Sequence, residues 1–264
     1  MLYYPQLTTG TISQYPVGRV TNMRTFLNQL PDGSTLRMAD TGAQTVQWQL
    51  TYASLTDAEA ASLQALFDAS LGRLNTFTFL DPTDNLLMWS EDWTQPVWTA
   101  DPMLQVTLGI QDPFGGTNAL QLTNTGQADQ RIVQVTGGPS WYQYAYSVYL
   151  RSGAYCPAQL VISADGLDSL TEVSVPATWT RVVASACLSI QSDGISFGVQ
   201  LPPGGTVEAC GAQVEAQSAP GPYKKTIDLG GVYSETRFNA DLLPWTTTAP
   251  DQNKCQISLI SNLT

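Results

Sequence analysis

The chain contains no histidine. That excludes a Ser-His-Asp or Cys-His nucleophile and the two-histidine zinc helix, because each needs an imidazole to move a proton or hold a metal. Cysteine is scarce: Cys156, Cys187, Cys210 and Cys255 stand far apart, with no C-x-x-C pair, so a structural zinc site lacks its ligands. They read as reduced, mostly buried thiols, with Cys156 and either Cys187 or Cys210 as the pair open to oxidation outside a cell. No cofactor and no metal is expected. Positive charge is scarce as well, 11 Lys plus Arg against 22 Asp plus Glu, for a net charge of −11. A phosphate backbone is held by clustered cations, and the densest pair here is Lys224 with Lys225. Nucleic acid and an anionic membrane surface are therefore excluded as partners; a neutral glycan or another protein subunit fits. No apolar run approaches the ~20 residues that span a bilayer. The start, Met1-Leu2-Tyr3-Tyr4-Pro5, has neither the basic nor the apolar part of a secretion signal, so a protein made in a cytosol that stays soluble is expected.

What remains is rich in apolar and aromatic residues. Hydrophobic content is 43% and charged content 12%, with 7 Trp and 11 Tyr, which suits sheets whose faces pack or meet flat ligands. A length of 264 residues suggests about two domains. Val46, Trp48, Leu50 and Tyr52 alternate with polar residues, the period of a half-buried strand. Leu36 and Met38 begin a shorter one after the Pro31-Asp32-Gly33 turn. Thr56 and Glu59 form a capping box, and Leu63, Leu66 and Phe67 follow at helical spacing, which predicts a helix from Asp57 to Leu71 stopped by Gly72. Phe77 and Phe79 alternate in a further strand, ended by Asp81-Pro82.

From Asn85 the pattern changes to short alternating runs between Gly, Pro, Asn and Asp: 119–123, 130–136, 142–151, 159–163, 180–184, 196–201 and 211–215. Such spacing predicts an all-β sandwich or barrel. After Lys224 come a strand at 237–243, the Ala249-Pro250-Asp251 turn and a last strand through Cys255, Ile257 and Leu259. A tail this short cannot fold alone. The expectation is a mainly β chain in which residues 1–84 and 224–264 make one small α+β module, a β-barrel or sandwich with a flanking helix, interrupted by an inserted jelly-roll sandwich at 85–223.

Two stretches resemble known families. The run from Leu55 to Asn85, LTDAEAASLQALFDASLGRLNTFTFLDPTDN, with Thr236-Arg237-Phe238-Asn239 and the later QISLIS strand, resembles phage minor-tail and distal-tail proteins. The resemblance implies a virion protein of the tail tip, made in the bacterial host cytoplasm. Six copies would form a ring between the tail tube and the tip hub proteins. The second stretch holds Asn85-Leu86-Leu87, Ser90-Glu91-Asp92-Trp93, Trp98, YAYSVYLR from Tyr144, Trp179-Thr180-Arg181, Gly211-Ala212-Gln213-Val214-Glu215 and Pro222-Tyr223. It resembles the jelly-roll carbohydrate-binding modules found within phage virion proteins. Gln217 stands where that pattern usually has Gly.

Sugars present flat C–H faces edged with hydroxyls, so a glycan site needs aromatic planes beside amides and charges. On the 142–151 strand, Tyr149 and Arg151 lie opposite the aliphatic face; Gln213 and Glu215 share the face opposite Val214. These four, with Trp141 in the loop after Gly137-Gly138-Pro139-Ser140, are the candidate glycan-binding residues, against the plainer reading of an ordinary mixed sheet surface. Trp48, Trp89, Trp93, Trp98 and Trp179 read as packing residues. No spacing selects a carboxylate pair among Glu91, Asp92, Glu172, Glu208 and Glu215, so no enzyme is expected. The alternatives are a stand-alone glycan-binding or adhesion module and, behind it, a capsule depolymerase. The polar segment Thr8 to Asn22 is the candidate for contact with a neighbouring subunit.

Overall fold

A computed structural model describes residues 1–263; the last residue of the expected tail module, Thr264, lies outside them. The chain is mainly β, with 51% of residues in strands and 5% in a helix. Along it run β1 (Val17–Gln29), β2 (Thr35–Leu55), α1 (Asp57–Ala69), β3 (Phe77–Leu80), β4 (Trp98–Ala100), β5 (Leu104–Ile110), β6 (Ala119–Asn124), β7 (Gln130–Thr136) and β8 (Tyr144–Arg151). They are followed by β9 (Pro157–Ala164), β10 (Leu167–Ser174), β11 (Thr180–Ala186), β12 (Ile195–Leu201), β13 (Thr206–Glu215), β14 (Val232–Phe238), β15 (Trp245–Ala249) and β16 (Gln252–Asn262). Two compact units share them. The first takes Met1–Thr8, Ser13–Phe79 and Tyr233–Thr264; the second takes Thr9–Ile12 and Leu80–Val232.

In the first unit the strands run β1-β2-β16-β14-β3, with β15 on β16. Cys255, Ile257 and Leu259 lie opposite Tyr52, Leu50 and Trp48. The period-two pattern of β2 and that of β16 therefore put their apolar residues on one face. That face is buried, and α1 packs against both strands. Phe67 meets Phe238 edge-on at 5.0 Å, and Trp48 meets Phe79 and Tyr233 at 4.9 and 4.7 Å.

The capping box of α1 forms as its residues predict: Thr56 Oγ1 accepts from the Glu59 N–H at 3.2 Å, and Glu59 accepts from the Thr56 N–H at 2.9 Å. The Glu59 carboxylate also accepts from the N–H and hydroxyl of Thr8, at 2.8 and 2.7 Å. Burial alone would raise its pKa, but these hydrogen bonds more than offset it and hold the group below the usual carboxylate range. The helix ends at Ala69, two residues before the predicted last residue Leu71, because Leu71 already adopts a left-handed backbone (φ 51°) ahead of Gly72 (φ 63°). Asp241 then fixes this corner by accepting from the Arg73 N–H at 2.9 Å.

Three further differences from the sequence reading have physical causes. The expected short strand at Leu36 and the one at Val46 are one strand, β2, paired with a β1 whose Gly, Asn and Arg residues obscure any alternation. β4, β5 and β10 carry no clear alternation because they are outer strands of their sheets, where polar residues face solvent on more than one side. The strand expected at 237–243 is β14, shifted towards the N-terminus; after Phe238 the chain leaves the sheet, with one further backbone bond from Asn239 to Ser258.

The second unit is a jelly-roll sandwich of two five-stranded antiparallel sheets, β10-β9-β12-β7-β4 and β11-β8-β13-β6-β5. Between them lie Tyr144, Tyr146, Val148 and Leu150 of β8, Val207 and Val214 of β13, Ile162 of β9 and Phe197 and Val199 of β12. Tyr144 and Tyr146 both pack on Phe197, at 5.3 and 6.1 Å between ring centres. Tyr144 Oη donates to the Pro139 carbonyl at 2.9 Å. Tyr146 Oη is buried without a hydrogen-bond partner among the described residues, and burial pushes its phenol pKa up. A hydroxyl left dry contributes nothing to offset its lost hydration. Tyr146→Phe is therefore expected to leave stability unchanged or raise it by roughly 1 kcal/mol, measured by urea unfolding.

The units divide at 79/80 and 232/233, whereas the sequence reading placed the joins at 84/85 and 223/224. Backbone pairing explains the difference. Asp81 N–H donates to Gly231 O, Gly231 N–H to Asn85 O, Leu86 N–H to Val214 O and Trp89 N–H to Ile227 O. The entering and leaving segments are thereby tied to each other and to β13, within the second unit.

Candidate functional site

Register brings four of the five predicted glycan-binding residues to one face of one sheet. β13 pairs with β8 so that Glu208 lies opposite Arg151, Cys210 opposite Tyr149, Gln213 opposite Ser147 and Glu215 opposite Ala145, with one extra residue bulged at Gly211. The chain itself then covers that face. The segment after β13 turns back across it, and Gln213 and Glu215, 0% and 2% exposed, hold it down. Gln213 Nε2 donates to the Pro222 carbonyl at 3.1 Å and Gln213 Oε1 accepts from the Lys224 N–H at 2.6 Å. Glu215 accepts from the Gly221 N–H at 2.6 Å, from Gln213 Nε2 at 2.9 Å and from Lys224 Nζ at 2.7 Å.

Gln213 and Glu215 are thus anchors of residues 217–226, out of reach of a ligand. Tyr149 is half-buried in a ring cluster: Phe114, on the loop between β5 and β6, stacks on Tyr223 at 5.3 Å and meets Tyr149 edge-on at 5.3 Å. Arg151 pairs with Glu208, and its guanidinium lies 4.8 Å from the centre of the Trp179 ring. Trp141 is exposed as expected, but it precedes the start of β8, and Tyr149 and Arg151 lie at the other end of that strand. The structure does not gather it with the other four.

Beside this covered face is an open cleft of 310 Å³, lined by Trp89, Glu91 and Asp92 from the entering segment, Leu108 and Gly109 of β5, Thr117, Asn118 and Ala119, and Lys225, Thr226 and Ile227. Trp89 reads from sequence as a packing residue; it is half-buried and lines the cleft. Its backbone is left-handed (φ 49°), a conformation that costs about 1–3 kcal/mol in a residue other than Gly. Local bonds fix it there. Its N–H donates to Ile227 O at 2.6 Å, and its carbonyl accepts from the Asp92 N–H and from Trp98 Nε1, both at 3.2 Å. Trp93 and Trp98, stacked at 4.7 Å and both buried, form the support behind it. The sequence signal for Trp89 was its place in a run without alternation, 85–98, where no strand offers a core position.

The polar wall is built in the same way. Glu91 pairs with Lys225 and accepts from Tyr223 Oη at 3.1 Å. Asp92 accepts from the Thr94 hydroxyl at 2.6 Å and from Gln95 Nε2 at 2.7 Å; these bonds outweigh its partial burial and lower its carboxyl pKa. Across the cleft, the loop that presents Thr117 and Asn118 is wound round Asp112. That carboxylate accepts from the N–H groups of Phe114, Gly116 and Asn118 at 2.8, 2.9 and 3.0 Å. The result places Trp89, with its backbone fixed, in one cleft with an exposed amide, a hydroxyl and an ammonium. This is the chemistry that takes a flat, hydroxylated, uncharged ligand. The four cysteines are free thiols: Cys156, Cys210 and Cys255 are buried, and Cys187 is exposed. Burial pushes Cys210 and Cys255 up to about 12, so neither is a nucleophile.

Fold and cleft together define a jelly-roll sandwich with an open cleft lined in part by Trp89, joined to a small helix-flanked sheet. No protein-family model matches the sequence, and no curated protein matches it. Among solved structures, the chain is similar to the enzymatically active domain of bacteriophage CBA120 tailspike protein 4, at 11% identity over 52% of this chain and 22% of that one, with a TM-score of 0.40. It is similar to the CBM22-1 xylan-binding domain of Paenibacillus barcinonensis Xyn10C at 14% identity, over 52% of this chain and 97% of that one, with a TM-score of 0.41. TmCBM61, solved with β-1,4-galactotriose, gives 14% identity over 49% and 97% of the two chains and a TM-score of 0.37. The chain spans less than a quarter of the tailspike domain, and none of these likenesses assigns it a ligand.

Proposed function

We propose that this chain is a structural protein of a phage tail tip whose sandwich unit binds a neutral glycan of the host surface in the cleft at Trp89. The observation that carries the binding half is that Trp89 lines an open 310 Å³ cleft together with Asn118, Thr117 and Lys225. The tail-tip half rests on the resemblance of residues 55–85 and 236–261 to distal-tail proteins. In that reading the first unit associates with copies of itself as a ring, six by the resemblance, and meets the tube and hub proteins. The chain is made in the host cytoplasm and resides in the virion.

Binding is favoured over hydrolysis by the state of the two acids in the cleft. A glycosidase needs one carboxyl kept protonated as general acid. Here Glu91 is paired with Lys225, and Asp92 is hydrogen-bonded into its ionised form. A stand-alone glycan-binding or adhesion module has the same cleft and differs only in where the protein resides.

The test is titration of host-surface polysaccharide fragments into the full chain by calorimetry. Trp89→Ala and Lys225→Met are each expected to weaken binding at least tenfold, about 1.4 kcal/mol, with Tyr155→Ala unchanged as a control on an exposed ring elsewhere. Equal binding by wild type and both cleft variants would remove the cleft from the account.

A further inference from the structure

The cleft at Trp89 exposes more aliphatic surface than a plain hexose needs. A sugar ring uses one aromatic contact for its C–H face and polar groups for its hydroxylated edge. Here two aliphatic side chains, Leu108 and Ile227, line the cleft as well, and they are 52% and 53% exposed.

Register makes the exposure of Leu108 unusual. Leu104, Val106 and Leu108 of β5 lie opposite Asn124, Leu122 and Leu120 of β6, and those three are buried. Directly opposed residues share a face of the sheet, so Leu108 stands on the buried side of its strand and still meets water. Immediately after it the register slips at Gly109, whose backbone is left-handed (φ 84°). Bulges of this kind bend a strand and re-aim its side chains beside binding sites. Ile227 is set by its backbone: its carbonyl accepts from the Trp89 N–H at 2.6 Å, so the aliphatic side chain and the ring belong to directly bonded residues.

The polar lining narrows the ligand further. Glu91 and Asp92 put two carboxylates in the cleft against the one ammonium of Lys225, and that ammonium is already paired with Glu91. A uronate would meet like charge there. Thr117 and Asn118 are exposed and offer a hydroxyl and an amide; an amide can both donate to a carbonyl and accept from an N–H. An acetamido substituent carries a methyl group for aliphatic carbon and an N–H and carbonyl for an amide. A bare hydroxyl against the same aliphatic side chains would lose its hydration without a partner, which costs free energy.

We infer that the cleft selects a neutral N-acetylated amino sugar, with Leu108 and Ile227 receiving the acetyl methyl and Asn118 the amide. The inference rests on the proposed glycan binding at Trp89 and names the sugar class.

The experiment is NMR titration of the full chain with N-acetylglucosamine against glucose and N-acetylgalactosamine against galactose. Each pair differs only at C2. Glucuronic acid and fucose test an acid and a methyl group without an amide. In at least one pair the acetamido sugar is expected to bind about tenfold tighter. Ile227→Ser and Leu108→Ser are each expected to bring that ratio close to one. The Ile227 side chain is half in water, so its variant should keep the wild-type melting temperature even where Leu108→Ser lowers it. Trp89→Ala is expected to lose both members of the pair. Equal binding within each pair, still lost in Trp89→Ala, would overturn the acetamido assignment and leave the glycan cleft standing. Tighter binding of glucuronic acid or fucose would overturn it in the same way. Absence of sugar binding, or binding that Trp89→Ala leaves intact, would overturn the glycan reading of the cleft and this inference with it.

Discussion

Gly198→Ala is expected to unfold the sandwich unit. Gly198 sits in the middle of β12, which is paired on both sides: Gly198 lies opposite Val133 of β7 and Val161 of β9. A Cβ at this position would overlap the Ile132 carbonyl oxygen and lie 2.8 Å from the Val133 Cα. Both are backbone atoms of a neighbouring strand, so no side chain can swing away to make room. Overpacking of a core commonly costs about 1–3 kcal/mol; displacing a central ladder should cost more than about 4 kcal/mol, a large share of the ~5–15 kcal/mol a domain commonly has. Hydrogen exchange should show protection lost across residues 119–215 and kept in α1 and β16. Wild-type protection in β7, β9 and β12 of the variant would mean that the two strands do not approach as closely as described.

Glu215→Ala is expected to have the second largest effect, and it reaches the cleft without touching it. The carboxylate is buried and gathers the Gly221 N–H, the Gln213 amide and the Lys224 ammonium. Removing one partner of a buried, hydrogen-bonded pair leaves the others without compensation, at a cost of about 3 kcal/mol or more. The segment 217–226 should then lift, and with it Lys225 and Thr226, which form one wall of the cleft. We expect a lowered urea midpoint, fast exchange at residues 217–226 and glycan affinity reduced at least tenfold. Glu215→Gln keeps one acceptor oxygen, turns the other into an N–H donor and loses the charge that faces Lys224, so it should fall between wild type and the Ala variant. An Ala variant as stable as wild type would show that the covering segment is held by other contacts.

These two sites also show what the sequence could and could not disclose. The half-buried strands of the first unit were legible because one face is apolar and the other polar, as in Val46, Trp48, Leu50 and Tyr52. The helix start was legible because Thr56 and Glu59 act on backbone groups three residues apart. The sandwich class followed from short runs between turn residues. β1 was not legible, since a strand exposed on both faces has no reason to alternate. The candidate site was legible in part. Period two correctly put Tyr149 and Arg151 on one face and Gln213 and Glu215 on one face, and register joined them. Whether that face is bare depends on where the segment after Glu215 travels, a long-range fact that no local pattern encodes. Trp89 gives no local signal for a related reason: its left-handed backbone is fixed by bonds to Ile227 and Trp98, outside any periodic run.

The central claim is that the chain is a tail-tip component, and cryo-electron microscopy of the intact particle that carries it tests this most directly. The account predicts density for several copies in a closed ring at the junction of tail tube and tip, each accommodating the helix-flanked sheet and the sandwich described above. A particle lacking the chain, or one that holds it as single copies in a fibre, would contradict that claim.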